Sequence, residues 1–179
     1  MLSFSIKGGI SIRTIYWARL TIERWPLIIA ATEKGLCFVG SLNEDVEELV
    51  KWQQRKLPNY MLQQNNEQLR PYFGWFEKYF KQEFVPFSLP MDLVGTPFQQ
   101  KVWQALQQIP FGQTKSYSDI AEMILQPTAV RAVGGAIGAN PIAIVVPCHR
   151  VIGKNRSLTG FRGGIPMKIR LLKNENIVL

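Results

Sequence analysis

The sequence predicts an α/β unit over residues 1–90 joined to a mainly helical unit over residues 91–179, the second built around a helix-turn-helix. Three observations carry this reading. Residues 12–40 are rich in β-branched and aromatic side chains broken by turn residues. Two following segments set apolar residues at helical spacing amid charge. A proline-marked stretch over residues 82–95 then gives way to a region in which helix-start signals recur.

In order, Ile12 to Ile22 reads as extended, and Leu27 to Ala31 and Leu36 to Val39 flank a Glu33-Lys34-Gly35 turn, so a small sheet is expected. Asn43 to Lys56 carries Val46, Leu49, Val50 and Trp52 on a helical stripe, and Leu69, Phe73, Phe76 and Phe80 form the next. That aromatic row could be a base-stacking surface, but its spacing assigns it to core packing. Pro86 and Pro90 mark Gln82 to Gly95 as a strand or extended linker and as the boundary between the units.

Thr96-Pro97-Phe98-Gln99 combines an N-cap hydroxyl, proline at the first helical position and glutamine three residues past the cap. Phe98, Val102, Ala105, Leu106 and Ile109 form the buried face of this helix, and Pro110-Phe111-Gly112 ends it. Ser116 and Asp119 are spaced as a second capping box, followed by Ile120, Ala121, Met123 and Ile124 and stopped by Gln126-Pro127. A third helix opens near Thr128 and runs through Arg131 to Ala139. The tight turn between the last two predicts the helix-turn-helix. Ile142 to Val146, apolar and bounded by Pro141 and Pro147, reads as a buried strand.

Interior glycines in the third helix each cost about 1 kcal/mol relative to alanine, so their presence needs a cause. Either the helix packs tightly against a neighbour or, with Arg131 at its leading end, it lies against a nucleic-acid groove. Composition leaves both open. Twenty-one Lys and Arg against 13 Asp and Glu give a formal charge of +8, which favours polyanions, nucleic acid or an acidic membrane surface alike. No apolar run reaches the roughly 18 residues of a membrane span. Two cysteines, Cys37 and Cys148, make no disulfide framework, and no clean signal pattern opens the chain, so a reducing, intracellular setting is expected. Three Cys and His in total are too few for a structural zinc site, and no metal is expected.

Pro147-Cys148-His149-Arg150 follows the apolar segment, and His149 is the one histidine in the chain. A thiol attacks as thiolate and needs a base or positive field, which an imidazole can supply near neutral pH. Taken alone, the pair reads more readily as a small buried thiol beside a surface imidazole.

The pattern extends further. Pro147-Cys148-His149-Arg150-Val151, preceded by Arg131-Ala132-Val133-Gly134-Gly135-Ala136 and Asn140-Pro141, resembles the O6-alkylguanine-DNA alkyltransferases, the methylated-DNA-protein-cysteine methyltransferases. Gly95-Thr96-Pro97-Phe98-Gln99, Val102-Trp103, Pro110-Phe111-Gly112, Ser116-Tyr117 and Lys168, Leu171-Leu172 and Glu175 resemble that family too. The similarity covers about residues 90–175, with the first unit agreeing in general layout.

The resemblance implies an RNase H-like α/β domain followed by a winged-helix domain that binds double-stranded DNA through the minor groove. It implies that Ala132, Gly134, Gly135, Ala136 and Gly138 allow close approach to that groove, that Arg131 enters the base stack, and that Tyr117 helps rotate the damaged nucleotide outward. It casts Cys148 as alkyl acceptor, His149 as a base acting through a water, Glu175 as the carboxylate orienting the imidazole, and Asn140 as the hinge of the Cys148 loop. Val151, Phe161 and Arg162 fall at the substrate pocket. The implied reaction is irreversible transfer of an alkyl group from O6-alkylguanine to Cys148, one lesion per molecule, with O4-alkylthymine a further candidate, no cofactor, and a monomeric, cytoplasmic protein, nuclear if its source has a nucleus.

Two positions depart from the family pattern. Phe161-Arg162-Gly163-Gly164 stands where the family often has tyrosine and a small residue, though a backbone N–H at Arg162 would be retained. Gly138 stands where some relatives carry a basic residue. Three rivals exist: a non-catalytic sensor of alkylated bases with the same fold, which would lack the acceptor cysteine; a thiol hydrolase, whose local signatures are missing; and a transcriptional regulator, which would need no Cys-His-Glu set.

Overall fold

A computed structural model describes residues 13–42, 45–83 and 85–178. The expected starts at Ile12 and Asn43 lie outside the described residues. Strands β1 (Arg13–Ile22), β2 (Trp25–Thr32) and β3 (Gly35–Val39) form an antiparallel meander, and β4 (Tyr60–Gln64) adds in parallel to β1, giving the order β3-β2-β1-β4. β4 is a strand that the sequence pattern did not disclose. It lies at the sheet edge with Met61 exposed, so it lacks the strongly apolar pattern of a central strand.

Alternation along β2 explains the layering. Ile28 and Ala30 join Phe38, Cys37 and Ile15 beneath Leu49 and Trp52 of α1 (Val46–Lys56), while Leu27, Ile29 and Ala31 pack with Leu69, Tyr72, Phe76 and Phe80 of α2 (Asn66–Phe80). The aromatic stripe of α2 is therefore core, with Tyr72 and Tyr79 inside it and Phe73 half-buried.

The second half opens with α3 (Pro97–Leu106), whose Thr96–Gln99 capping box forms as the sequence predicts. Its buried face includes Trp103, whose indole donates to the Ala136 carbonyl at 2.8 Å. Phe98, expected on the buried face, is only half-buried, and Met123 is exposed. β5 (Lys115–Ser116) leads into α4 (Tyr117–Met123), capped reciprocally by Ser116 and Asp119, and α5 (Val130–Gly138) completes the helix-turn-helix. β6 (Val151–Ile152) pairs in parallel with β5, and α6 (Gly164–Asn174) closes the chain.

Ile142 to Val146 is buried but is not a strand. Ile142 alone bridges to Val39, after which Val145 N–H and Val146 N–H turn back to the carbonyls of Ala143 and Ile142. Ile144 sits at φ 74°, a left-handed conformation that costs a β-branched residue on the order of 1–3 kcal/mol. Burial, rather than strand pairing, accounts for the apolar run.

The outer edge of β3 is paired by segments from elsewhere. Leu36 N–H donates to Pro90 O at 2.9 Å and Leu36 O accepts from Asp92 N–H at 2.8 Å, while Val39 N–H donates to Pro141 O at 2.9 Å. One sheet edge thus holds both the segment near residue 90 and the start of the loop to Cys148. Gly35 permits this crossing: at φ 139° a Cβ would lie 2.4 Å from the Pro90 carbonyl group. Gly35→Ala is expected to lower stability by about 2 kcal/mol or more in chemical denaturation, with the strain falling on the Pro90 crossing.

Candidate functional site

The loop after α5 is organised by Asn140, which is buried and fully bonded. Its Oδ1 accepts from Ile142 N–H at 3.0 Å, and its Nδ2 donates to Val146 O at 2.8 Å and to Cys148 Sγ at 3.1 Å. Cys148 opens a single 3-10 turn through Arg150. Burial pushes its thiol upward, against the pull of the Asn140 hydrogen bond and of the positive charges on Arg162 and Lys168. The resting group is therefore a thiol that must lose a proton before it can attack. Cys37, buried in β3, donates its thiol to Ala30 O at 3.4 Å and is pushed far upward by burial and then by Asp92.

His149 and Glu175 are both buried and meet at 2.7 Å between Nε2 and Oε1. Burial lowers the His149 pKa, and Glu175 opposes without reversing this. A neutral imidazole giving its Nε2 hydrogen to the carboxylate keeps its lone pair on Nδ1, and Nδ1 is buried without a protein partner among the described residues. Glu175 also receives Arg150 on both oxygens, at 2.8 and 2.9 Å, the Tyr79 hydroxyl at 2.8 Å and Gly112 N–H at 3.2 Å. Burial alone would raise its pKa, but His149 and Arg150 outweigh it and hold the group at about 2.

The two charges that act on Cys148 come from separate segments, Lys168 on α6 and Arg162 ahead of it. Val151 is buried, and Lys168 Nζ donates to its carbonyl at 2.5 Å and to Thr159 O at 3.1 Å, joining two sides of the site. Burial lowers Lys168 to about 8, so the amine remains largely charged at neutral pH. Tyr117 accepts at its hydroxyl from Thr159 Oγ1 at 3.2 Å, and its ring lies beside Gly134. Phe161 is half-buried against the core. Arg162 reaches Glu48 and Val39 O, with its guanidinium over the Phe38 ring, and so ties the Phe161-Arg162 segment to the sheet.

On α5, Arg131, Ala132, Gly135 and Gly138 share one exposed face, Gly134 is half-buried, and Ala136 points into the core. A Cβ added at Gly135 or Gly138 would meet nothing within 4 Å. Close packing against a neighbouring helix therefore does not account for these two glycines. Sequence reasoning missed Tyr79, Arg150 and Lys168 as site residues. Arg150 and Lys168 stood inside the matching motifs without a role, whereas Tyr79 stood in an aromatic row that reads as core.

A buried cysteine backed by a histidine-carboxylate pair, set behind the second helix of a helix-turn-helix, defines a thiol-dependent protein on a nucleic-acid-binding scaffold. The models of the 6-O-methylguanine DNA methyltransferase ribonuclease-like domain and DNA binding domain match residues 15–93 and 97–177. The chain is 52% identical over 162 residues to the inducible methylated-DNA-protein-cysteine methyltransferase of Bacillus subtilis, covering 90% of each. The crystal structure of Mycobacterium tuberculosis O6-methylguanine methyltransferase superposes with a TM-score of 0.75 at 38% identity, covering 90% of this chain and 92% of that one. The same protein in complex with DNA gives 0.74 at 38% identity, with 89% and 92% covered. This chain belongs to the 6-O-methylguanine DNA methyltransferase family.

Glu175→Gln leaves Arg150 without its charge partner and is expected to cost about 3–5 kcal/mol in denaturant unfolding. Because the folded carboxyl lies at about 2 instead of 4.5, its contribution is complete above pH 4.5 and is lost as pH falls toward 2. The variant should therefore lose stability less steeply than the parent across that window. His149, also lowered, adds in both chains a loss that begins below its ordinary 6.5.

Proposed function

We propose that the chain repairs DNA by accepting the alkyl group of O6-alkylguanine on Cys148. The observation that carries this is the convergence on one buried sulfur of Asn140 and the positive charges of Lys168 and Arg162, with the Glu175-bound imidazole on the next residue. His149 Nδ1 takes the thiol proton through a bridging water, and Glu175 steadies the resulting imidazolium. The sulfur attacks the alkyl carbon in line with its bond to O6: the S–C bond forms, the C–O bond breaks, and its electron pair leaves with the base. Restored guanine gains one proton at its ring nitrogen, balancing the one lost by the thiol. The product thioether has no carbonyl for water to attack, so each molecule acts once.

The bare face of α5 supports a minor-groove contact in which Gly135 and Gly138 admit the backbone and Arg131 takes the place of the extruded nucleotide. In this reading Tyr117, which accepts from Thr159 and lies beside Gly134 of α5, helps turn the nucleotide outward, and Val151, Phe161 and the backbone at Arg162 receive the extruded base. The family models, ending at 93 and resuming at 97, support two domains divided near residue 90. Two unpaired buried thiols suit a reducing compartment such as the cytoplasm, and among the described residues no helix is long and apolar enough to cross a membrane.

Mixing the protein with duplex DNA holding one O6-methylguanine should add one methylene to the Cys148 peptide in mass spectrometry, with loss of one lesion per chain. Tight binding without that gain would instead support the sensor reading. Cys148→Ala should bind DNA and transfer nothing. Arg131→Ala should slow transfer from duplex far more than from single strands, since only the duplex requires a base to be extruded; equal slowing would contradict its role.

A further inference from the structure

We propose that Tyr79, carried by α2 in the first half of the chain, is a positioning residue for the His149–Glu175 pair and so for the activation of Cys148. Its buried hydroxyl donates at 2.8 Å to Glu175 Oε1, the same oxygen that receives His149 Nε2 at 2.7 Å, and it stands 3.4 Å from that nitrogen. A carboxylate can exchange its two oxygens by rotation, which would carry the imidazole's acceptor out of line. The Tyr79 hydroxyl and Arg150 pin Oε1, while Gly112 and Arg150 pin Oε2. Tyr79 is itself immobilised: its ring stacks on Trp75 at 5.3 Å and meets Phe80 and Phe111 edge-on, and its carbonyl accepts from Asn174 at 3.0 Å, next to Glu175.

The phenol is suited to the task because it stays neutral. Burial and the adjacent carboxylate drive its pKa well above the ordinary 10, so it gives a hydrogen bond without competing for the proton that His149 takes. A residue of the ribonuclease-like half thereby acts on the chemistry through Glu175, without being placed against DNA. The charged and titratable groups around His149 are Glu175, Arg150, Lys168, Cys148 and Tyr79 itself.

The inference rests on the reading of His149 and Glu175 as the relay that deprotonates Cys148, and one experiment separates the two. Single-turnover transfer from duplex O6-methylguanine is measured from about pH 5.5 to about pH 9 for the full chain, Tyr79→Phe and Glu175→Gln, with DNA affinity alongside. Tyr79→Phe keeps the ring and its packing. The expected result is transfer slowed at least about fivefold at saturating DNA, unchanged affinity, and an acid limb moved to higher pH because Oε1 then gives more to the imidazole. A Tyr79→Phe protein with wild-type rate and profile, or one slowed with no movement of the limb, overturns the positioning role while a slow Glu175→Gln protein leaves the relay standing. Wild-type transfer by Glu175→Gln would overturn the relay, and the inference with it.

Discussion

A carboxylate removed from water has to be met by hydrogen-bond donors on every side, and Glu175 imposes that demand on much of the molecule. Its partners come from α2, from the turn after α3, and from the 3-10 turn that carries His149 and Arg150. Each element's place is thus conditional on the others. The bidentate Arg150 contact supplies the compensating charge, and Arg150 extends the same logic to the Ile109 carbonyl at 2.6 Å, fixing the end of α3 relative to the site.

A second constraint is the edge of β3. An exposed strand edge invites unwanted pairing, and here it is occupied by Pro90–Asp92 and by Pro141. The loop to Cys148 starts on that edge, turns under the Asn140 side chain, and passes through the left-handed Ile144. Strain is affordable there because Asn140 and the buried apolar side chains over-determine the path. Arg162 ties the segment before α6 to the same edge by binding Glu48 and Val39 O. The two halves of the chain meet at the site as well as behind it.

Much of this was legible in the residues. Thr96-Pro97-Phe98-Gln99 and Ser116-Asp119 are local signals, and local hydrogen bonds realise both. Cys148, His149, Asn140 and Glu175, named as a set from the resemblance, form two hydrogen-bonded pairs, Asn140–Cys148 and His149–Glu175, joined through neighbouring residues. Legibility ended where long-range contact decides the structure. Tyr79 differs from its aromatic neighbours only in where its hydroxyl points, 96 positions from its partner. β4 pairs through its backbone at an edge that asks little of its side chains. The Ile142–Val146 run looked like a strand because apolar composition reports burial and leaves backbone direction open. The resemblance grouped Ala136 with the groove-facing residues of α5, whereas its carbonyl meets Trp103 and its side chain is buried in the core.

The contrast between the two thiols carries a consequence for how the molecule keeps count. Both are buried, yet at Cys37 backbone hydrogen bonds are outweighed by burial and a nearby carboxylate, while Cys148 has an amide donor and two cations to offset its loss of water. A soft electrophile in the same solution meets two thiols of very different readiness. The sheet that silences Cys37 leaves one usable acceptor per chain, so the fraction of chains carrying an adduct reads directly as the number of events each population has absorbed.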